Sequence, residues 1–171
     1  MACSIDAAVG GANANSYSTV AESDAYHETH LYSADWTGAT ADQKCRALVS
    51  ATRMLDLYIQ WKGDPADEVQ ALAWPRTGLL DTNGNEIAGT ELPQLLRDIT
   101  AELARKLIIS DLTAGSQAET EGLAGLKAGE IELEWDHPRA KPIPDSVFFM
   151  IPNSWGSLRS RGRTSVPLVR T

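Results

Sequence analysis

No stretch of this sequence approaches the ~20 consecutive apolar residues needed to span a bilayer, so no membrane segment is expected. The N-terminal Met1-Ala-Cys-Ser-Ile-Asp has neither a basic region nor an apolar one, and no secretory signal is expected from it. Cysteine is confined to Cys3 and Cys45. Two such distant thiols form no metal or redox motif. They leave a disulfide open, with free thiols in a reducing cytoplasm as the expectation. Three histidines and 23 scattered carboxylates leave acid–base chemistry possible in principle, but nothing selects a pair. Phosphate-binding and dinucleotide-binding glycine loops, nucleophile elbows and Cys/His catalytic sets are absent. The expectation is a protein that is not an enzyme, with no catalytic residues, no metal site and no cofactor.

What is present suits one domain: 171 residues, 43% hydrophobic and 22% charged, enough for a single core. The charge is unevenly divided. Asp145 is the last acidic residue, and Arg159, Arg161, Arg163 and Arg170 follow with nothing to balance them. Residues 1–153 hold eleven of the 15 basic groups and all 23 acidic ones, a net −12, and the four tail arginines bring the chain to −8. A body this acidic repels nucleic acid phosphates at long range. The tail attracts them, or seeks an acidic protein groove.

Residues 1–17 are small and polar and read as an extended lead-in. Thr19-Val20-Ala21-Glu22 fits a capping box and predicts a helix to about Leu31, with Val20, Tyr26 and Leu31 inward. Thr40-Ala41-Asp42-Gln43 is a second capping box. Behind it Leu48, Ala51, Leu55, Tyr58 and Ile59 share one face of a 3.6-residue period, and Gly63-Asp64-Pro65 ends the pattern. The stretch from Gln70 to Gly89 reads as an ordered excursion, with Asn83-Gly84 as a hairpin turn. Pro93 suits the first turn of a central helix whose face is Leu92, Leu95, Leu96, Ile99, Leu103, Leu107 and Ile108, with Gly115 beyond its end. Ile131, Leu133 and Trp135 alternate with Glu130, Glu132 and Glu134, the period of a strand with one acidic face, and Gly129 allows Leu126-Lys127-Ala128 to turn or pair before it. Residues 146–151 read as a short apolar helix stopped by Pro152.

Beyond it, Pro, Gly and Ser space out Arg and single apolar residues without any period, so residues 153–171 cannot bury enough surface to order themselves alone. The predicted class is mainly α: a small bundle of about four helices, a β-hairpin excursion, a short acidic strand or hairpin and an extended C-terminal arm. Its divisions are 1–17, the lead-in; 18–152, the helical domain; and 153–171, the basic arm.

Several local patterns invite chemistry and fall short of it. In His27-Glu28-Thr29-His30 the histidines are three apart rather than the four of helical zinc sites, and no third ligand stands nearby, so an exposed polar helix face is expected. Asp81-Thr-Asn83-Gly-Asn85 begins like a calcium loop but has Glu86 and Leu92 where Gly and Glu are required. A tight turn is expected there. Trp36, Trp61, Trp74, Trp135 and Trp155 would serve as stacking platforms for single-stranded nucleic acid only beside a cationic groove, so core or interface packing is expected of them. The Glu130, Glu132 and Glu134 face suits solvent, a conduit or a basic partner.

Read in order, Ala14-Asn15-Ser16-Tyr17, Ser23-Asp-Ala-Tyr26, Ala51-Thr52-Arg53-Met54-Leu55-Asp56, Trp61-Lys62-Gly63, Ala71-Leu72-Ala73-Trp74-Pro75-Arg76-Thr77-Gly78, Asp81-x-Asn-Gly-Asn85, Leu92-Pro93 and Ile143-Pro144-Asp145 form a series. Over residues 13–151 this resembles the tailed-phage head–tail connector (adaptor) family, whose members are often labelled DnaT-like single-stranded-DNA-binding proteins. The resemblance implies a homo-oligomeric ring, usually a dodecamer, docked on the portal protein in the virion neck after assembly in the bacterial host cytoplasm. Such a ring extends the DNA channel, passes packaged double-stranded DNA without specific binding, and presents a surface to a tail, tail-completion or stopper protein. On that reading Trp155, Leu158, Arg159, Arg161, Arg163, Val166, Pro167, Leu168 and Arg170 form a portal-binding arm that folds on docking. Glu130, Glu132, Glu134, Trp74 and Arg76 are then candidates for the channel or the ring interface. The alternative is a single-stranded-DNA-binding module, with the arginine-rich tail as its best support.

Overall fold

A computed structural model describes residues 2–112, 125–128, 131–134 and 142–159. Both capping boxes form. Thr19 opens α1 (Val20–Glu28) and Thr40 opens α3 (Ala41–Tyr58), each Thr oxygen accepting from the backbone N–H three residues on while the Glu22 or Gln43 side chain reaches back. Between them lies a short helix that carries no sequence period, α2 (Ala34–Thr37), which buries Trp36. The predicted stripe of α3 is in place, with Leu48, Ala51 and Leu55 fully buried. The helix stops at Tyr58, and Ile59 begins β1 (Ile59–Trp61). The chain then crosses β2 (Asp64–Pro65), β3 (Arg76–Thr77) and the Asn83-Gly84 turn, where Gly84 takes φ +86° and Leu80 bridges Glu86.

Pro93 precedes α4 (Gln94–Ile109), whose Leu96, Ile99 and Leu103 are fully buried against α3. β4 (Gly125–Ala128) pairs antiparallel with β5 (Ile131–Glu134), so the acidic strand is one arm of a hairpin. The last helix, α5 (Asp145–Phe148), is shorter than the predicted 146–151. The architecture is mainly helical, as the sequence period predicts, with three small two-stranded sheets among the described residues.

The lead-in and the chain's far end both depart from expectation. Residues 2–18 hold no helix or strand, yet they are fixed to the body. Asp6 and Asn15 exchange hydrogen bonds of 2.8 and 2.9 Å, Tyr17 is 1% exposed, and Cys3 is joined to Cys45 by a disulfide with Cα atoms 6.0 Å apart. Free thiols had been expected, since sequence separation says nothing about spatial approach. The Cys3 N–H also donates to the Asp42 carboxylate at 2.9 Å, which places the two cysteines together at the start of α3.

The basic arm does not begin at residue 153. Trp155 is 1% exposed and lies in the core. β6 (Gly156–Leu158) pairs antiparallel with β1, Leu158 opposite Ile59 and Gly156 opposite Trp61. A Cβ on Gly156 would stand 2.8 Å from Ile59 Cγ2 and 2.9 Å from the Gln60 carbonyl, so only glycine allows this approach.

Candidate functional site

The segments that carry the family resemblance, far apart in sequence, meet in one buried knot at the end of α3. The Asp56 carboxylate accepts from the Tyr17 hydroxyl, from Trp61 Nε1 at 3.2 Å and from the Ala73 N–H at 3.0 Å. The Tyr17 N–H in turn donates to Thr52 Oγ1 at 3.1 Å. Burial raises the pKa of Asp56 from its ordinary carboxyl value against those hydrogen bonds, and burial together with the Asp56 charge raises that of Tyr17.

Next to this, Arg76 is enclosed and donates to three carbonyls: Lys62 at 2.6 Å, Ala73 at 2.9 Å and Gly63 at 2.6 Å. Gly63 holds φ +67°, and a Cβ there would collide with the Thr77 carbonyl. The Trp74–Pro75 peptide is cis. Trp74 stacks edge-on against Trp61 at 5.7 Å and lies 5.3 Å from Trp155, whose Nε1 donates to the Leu80 carbonyl at 2.7 Å. The pieces Asn15-Ser16-Tyr17, Met54-Leu55-Asp56, Trp61-Lys62-Gly63 and Trp74-Pro75-Arg76 are therefore interlocking parts of an interior. Their chemistry is structural: the polar side chains of Tyr17, Asp56, Trp61, Arg76 and Trp155 bond to other parts of the interior, and the Trp74 indole N–H alone among those named is buried without a partner among the described residues.

A second polar assembly joins α1 to α4. His27 is fully buried, 4.7 Å from the Trp36 ring, with Nε2 against the Ala101 carbonyl at 3.1 Å. Trp36 Nε1 donates to Asp24, which also pairs with Lys44 at 2.8 Å. Glu102, nearly buried, gathers Arg105, Lys106 and His30. This corrects the reading of His27-Glu28-Thr29-His30 as an exposed polar face. His27 is a core residue, His30 is half-buried, and no group of three metal-ligating side chains occurs among the described residues.

A groove of about 530 Å³ lies between the outer face of α3 and the end of α4, lined by Gln43, Arg46, Ala47, Ser50, Arg53, Met54, Leu107, Ile108 and Asp111. Its base is apolar and its α3 rim is polar and cationic.

Against known proteins, the whole chain, residues 1–171, matches the family described as "Putative DnaT-like ssDNA binding protein". The chain belongs to that family. No curated protein and no solved structure matches it.

In this DnaT-like family member the residues singled out from sequence fall into three groups. Trp74 and Arg76, taken as channel or ring-interface candidates, are interior: Trp74 is 1% exposed and the Arg76 guanidinium is committed to backbone carbonyls. Trp155, taken as part of the docking arm, is likewise core, while Leu158 and Arg159 are fixed beside β1, with the Arg159 N–H donating to the Tyr58 carbonyl at 2.8 Å. Glu132 and Glu134 lie on β5, paired opposite Lys127 and Gly125. Glu130, Trp135, Arg161, Arg163, Val166, Pro167, Leu168 and Arg170 lie outside the described residues.

The sequence reading missed the groove. Its signal was present: Gln43, Arg46, Ser50 and Arg53 recur at helical spacing on the face of α3 opposite the apolar stripe. Val20 and Tyr26 are partly buried as predicted, but Leu31 is 84% exposed because α1 ends at Glu28.

Proposed function

We propose that this DnaT-like family member is a structural, non-enzymatic protein: a head-to-tail adaptor that works as a ring on a portal, extending a DNA channel and meeting a tail or stopper protein. The observation carrying the proposal is the burial of the residues that single-strand binding would need. Stacking platforms must present aromatic faces beside cations. Trp36, Trp61, Trp74 and Trp155 are each at most 9% exposed. The cationic side chains of Lys44, Arg46, Lys62, Arg76, Arg97 and Arg105 are all held by the chain's own carboxylates or carbonyls. An acidic exterior on which most described cations are already committed makes a poor grip on phosphates and a suitable wall for DNA to slide past. Exposed apolar side chains at Leu31, Tyr32, Leu57 and Phe149 suit contacts with other protein subunits.

The test is co-sedimentation of the full chain with purified portal rings. Binding in stoichiometric copies supports the reading, and its absence removes it. A second reading, single-stranded-DNA binding, is favoured by the family description and by Arg161, Arg163 and Arg170. Titration with a fluorescent oligonucleotide at low salt decides it: tight, steeply salt-dependent binding supports this second reading, and no binding removes it.

A further inference from the structure

We propose that the groove between α3 and the end of α4 receives the acidic β5 strand of a second copy of this chain. The inference rests on the adaptor reading for its setting and names the contact between neighbouring copies. Its first support is the state of the cations. Among the described residues of the body, Lys44, Arg97, Arg105 and Lys106 are paired with carboxylates, and Lys62 and Arg76 donate to carbonyls. Arg53 has neither an ion pair nor a hydrogen bond among the described residues, and it stands exposed on the groove rim. Arg46, two turns earlier on the same face, meets only Asp42 of its own helix and remains 67% exposed. An acidic protein that leaves this guanidinium uncommitted beside an apolar trough has a site for an acidic, partly apolar chain.

The second support is the match of pattern and length. Ala47, Met54, Leu107 and Ile108 form an apolar base under the cationic rim. β5 reads Ile131-Glu132-Leu133-Glu134, apolar and acidic in alternation. From Gln43 to Met54 the rim runs roughly 16 Å at 1.5 Å per helical residue, and four strand residues cover roughly 13 Å. Arg46 and Arg53 are roughly 10 Å apart along the axis and Glu132 and Glu134 roughly 7 Å apart, a difference that arginine side chains span. A nucleic acid strand would supply the charge but no apolar row for the base. A body of net −12 offers few other places where a second copy can meet cations.

Charge reversal with rescue tests the contact in the full-length chain, read by sedimentation velocity over a concentration series. The wild type self-associates. Arg53→Glu raises the dissociation constant by about tenfold or more, as does Glu132→Arg combined with Glu134→Arg. Joining the two sets restores association to within about threefold of wild type. Arg53 is exposed and bonds nothing among the described residues, so circular dichroism of Arg53→Glu stays that of the wild type. Unchanged association in Arg53→Glu, absence of rescue, or a wild type that is monomeric at every concentration overturns the proposal. Portal co-sedimentation reports separately. A chain that binds portal yet ignores these reversals loses this contact and keeps the adaptor reading, and one that associates through the groove but never binds portal does the opposite.

Discussion

The hydroxyl of Tyr17 donates to the carboxylate of Asp56 across 39 positions of sequence, joining the end of the lead-in to the last turn of α3. Trp61 and Ala73 donate to the same carboxylate, so one side chain ties four segments. Burial raises the Asp56 pKa, which means its charged form depends on these donors. Tyr17→Phe removes one donor without changing shape. The expected loss is about 1–3 kcal/mol, the cost of leaving a buried acceptor short of a partner. Urea unfolding checks it: the midpoint falls while the slope stays constant.

Truncation separates the fold from the arm. Ending the chain after Arg159 retains Trp155 and β6, and the melting temperature stays within a few degrees of the full chain's. Ending it after Pro152 removes an indole that is 1% exposed, its hydrogen bond to Leu80 and the partner of β1. That truncation lowers stability by about 3–5 kcal/mol, the usual cost of losing a large buried aromatic. Equal stability of the two truncations would show that Trp155 is not part of the core.

Much of this fold was legible because its signals are local. Thr19 and Thr40 announce their helices through a residue three positions on, and the stripe Leu48, Ala51, Leu55 announces its buried face within three turns. What was not legible depends on partners remote in sequence. Trp155 looked like part of an unpatterned tail because Trp74, Trp61 and Leu80, which enclose it, lie some 75 or more positions upstream. Arg76 looked available because three backbone carbonyls leave no trace in a sequence. His27 looked like a surface residue on a weakly patterned helix until Trp36, on the unforeseen α2, came to lie against it. The groove was readable only as a cationic stripe, since its opposite wall comes from α4.

The Cys3–Cys45 bridge closes a loop across 42 positions of sequence. In the chain-entropy account, a closure of that length restricts the unfolded state by roughly 4 kcal/mol. Cys3→Ser combined with Cys45→Ser is therefore expected to lower stability by about 2–4 kcal/mol while leaving the helices in place. Thermal unfolding with and without a reductant reads the same difference in the wild type. A reductant that leaves the transition unmoved would show the thiols to be free in the purified protein.

His27 makes stability depend on pH in a defined direction. Burial against Trp36 lowers its pKa below the ordinary histidine value, outweighing the Ala101 carbonyl and the Glu102 carboxylate that favour the proton; Arg105 and His30 oppose it as well. Above about pH 6.5 both folded and unfolded chains hold a neutral imidazole, and nothing is lost. Below it the unfolded chain takes up a proton that the folded one resists, so stability falls. The slope approaches about 1.4 kcal/mol per pH unit until the folded-state pKa is reached. The lowered pKa values of Glu22 and Asp24 act further down, where carboxylates titrate, and remove stability there too. Denaturant unfolding between about pH 7 and 5 isolates the histidine. His27→Gln, which keeps a polar side chain and cannot titrate, flattens that part of the profile even if it lowers stability throughout. A slope equal in both proteins would remove His27 as its source.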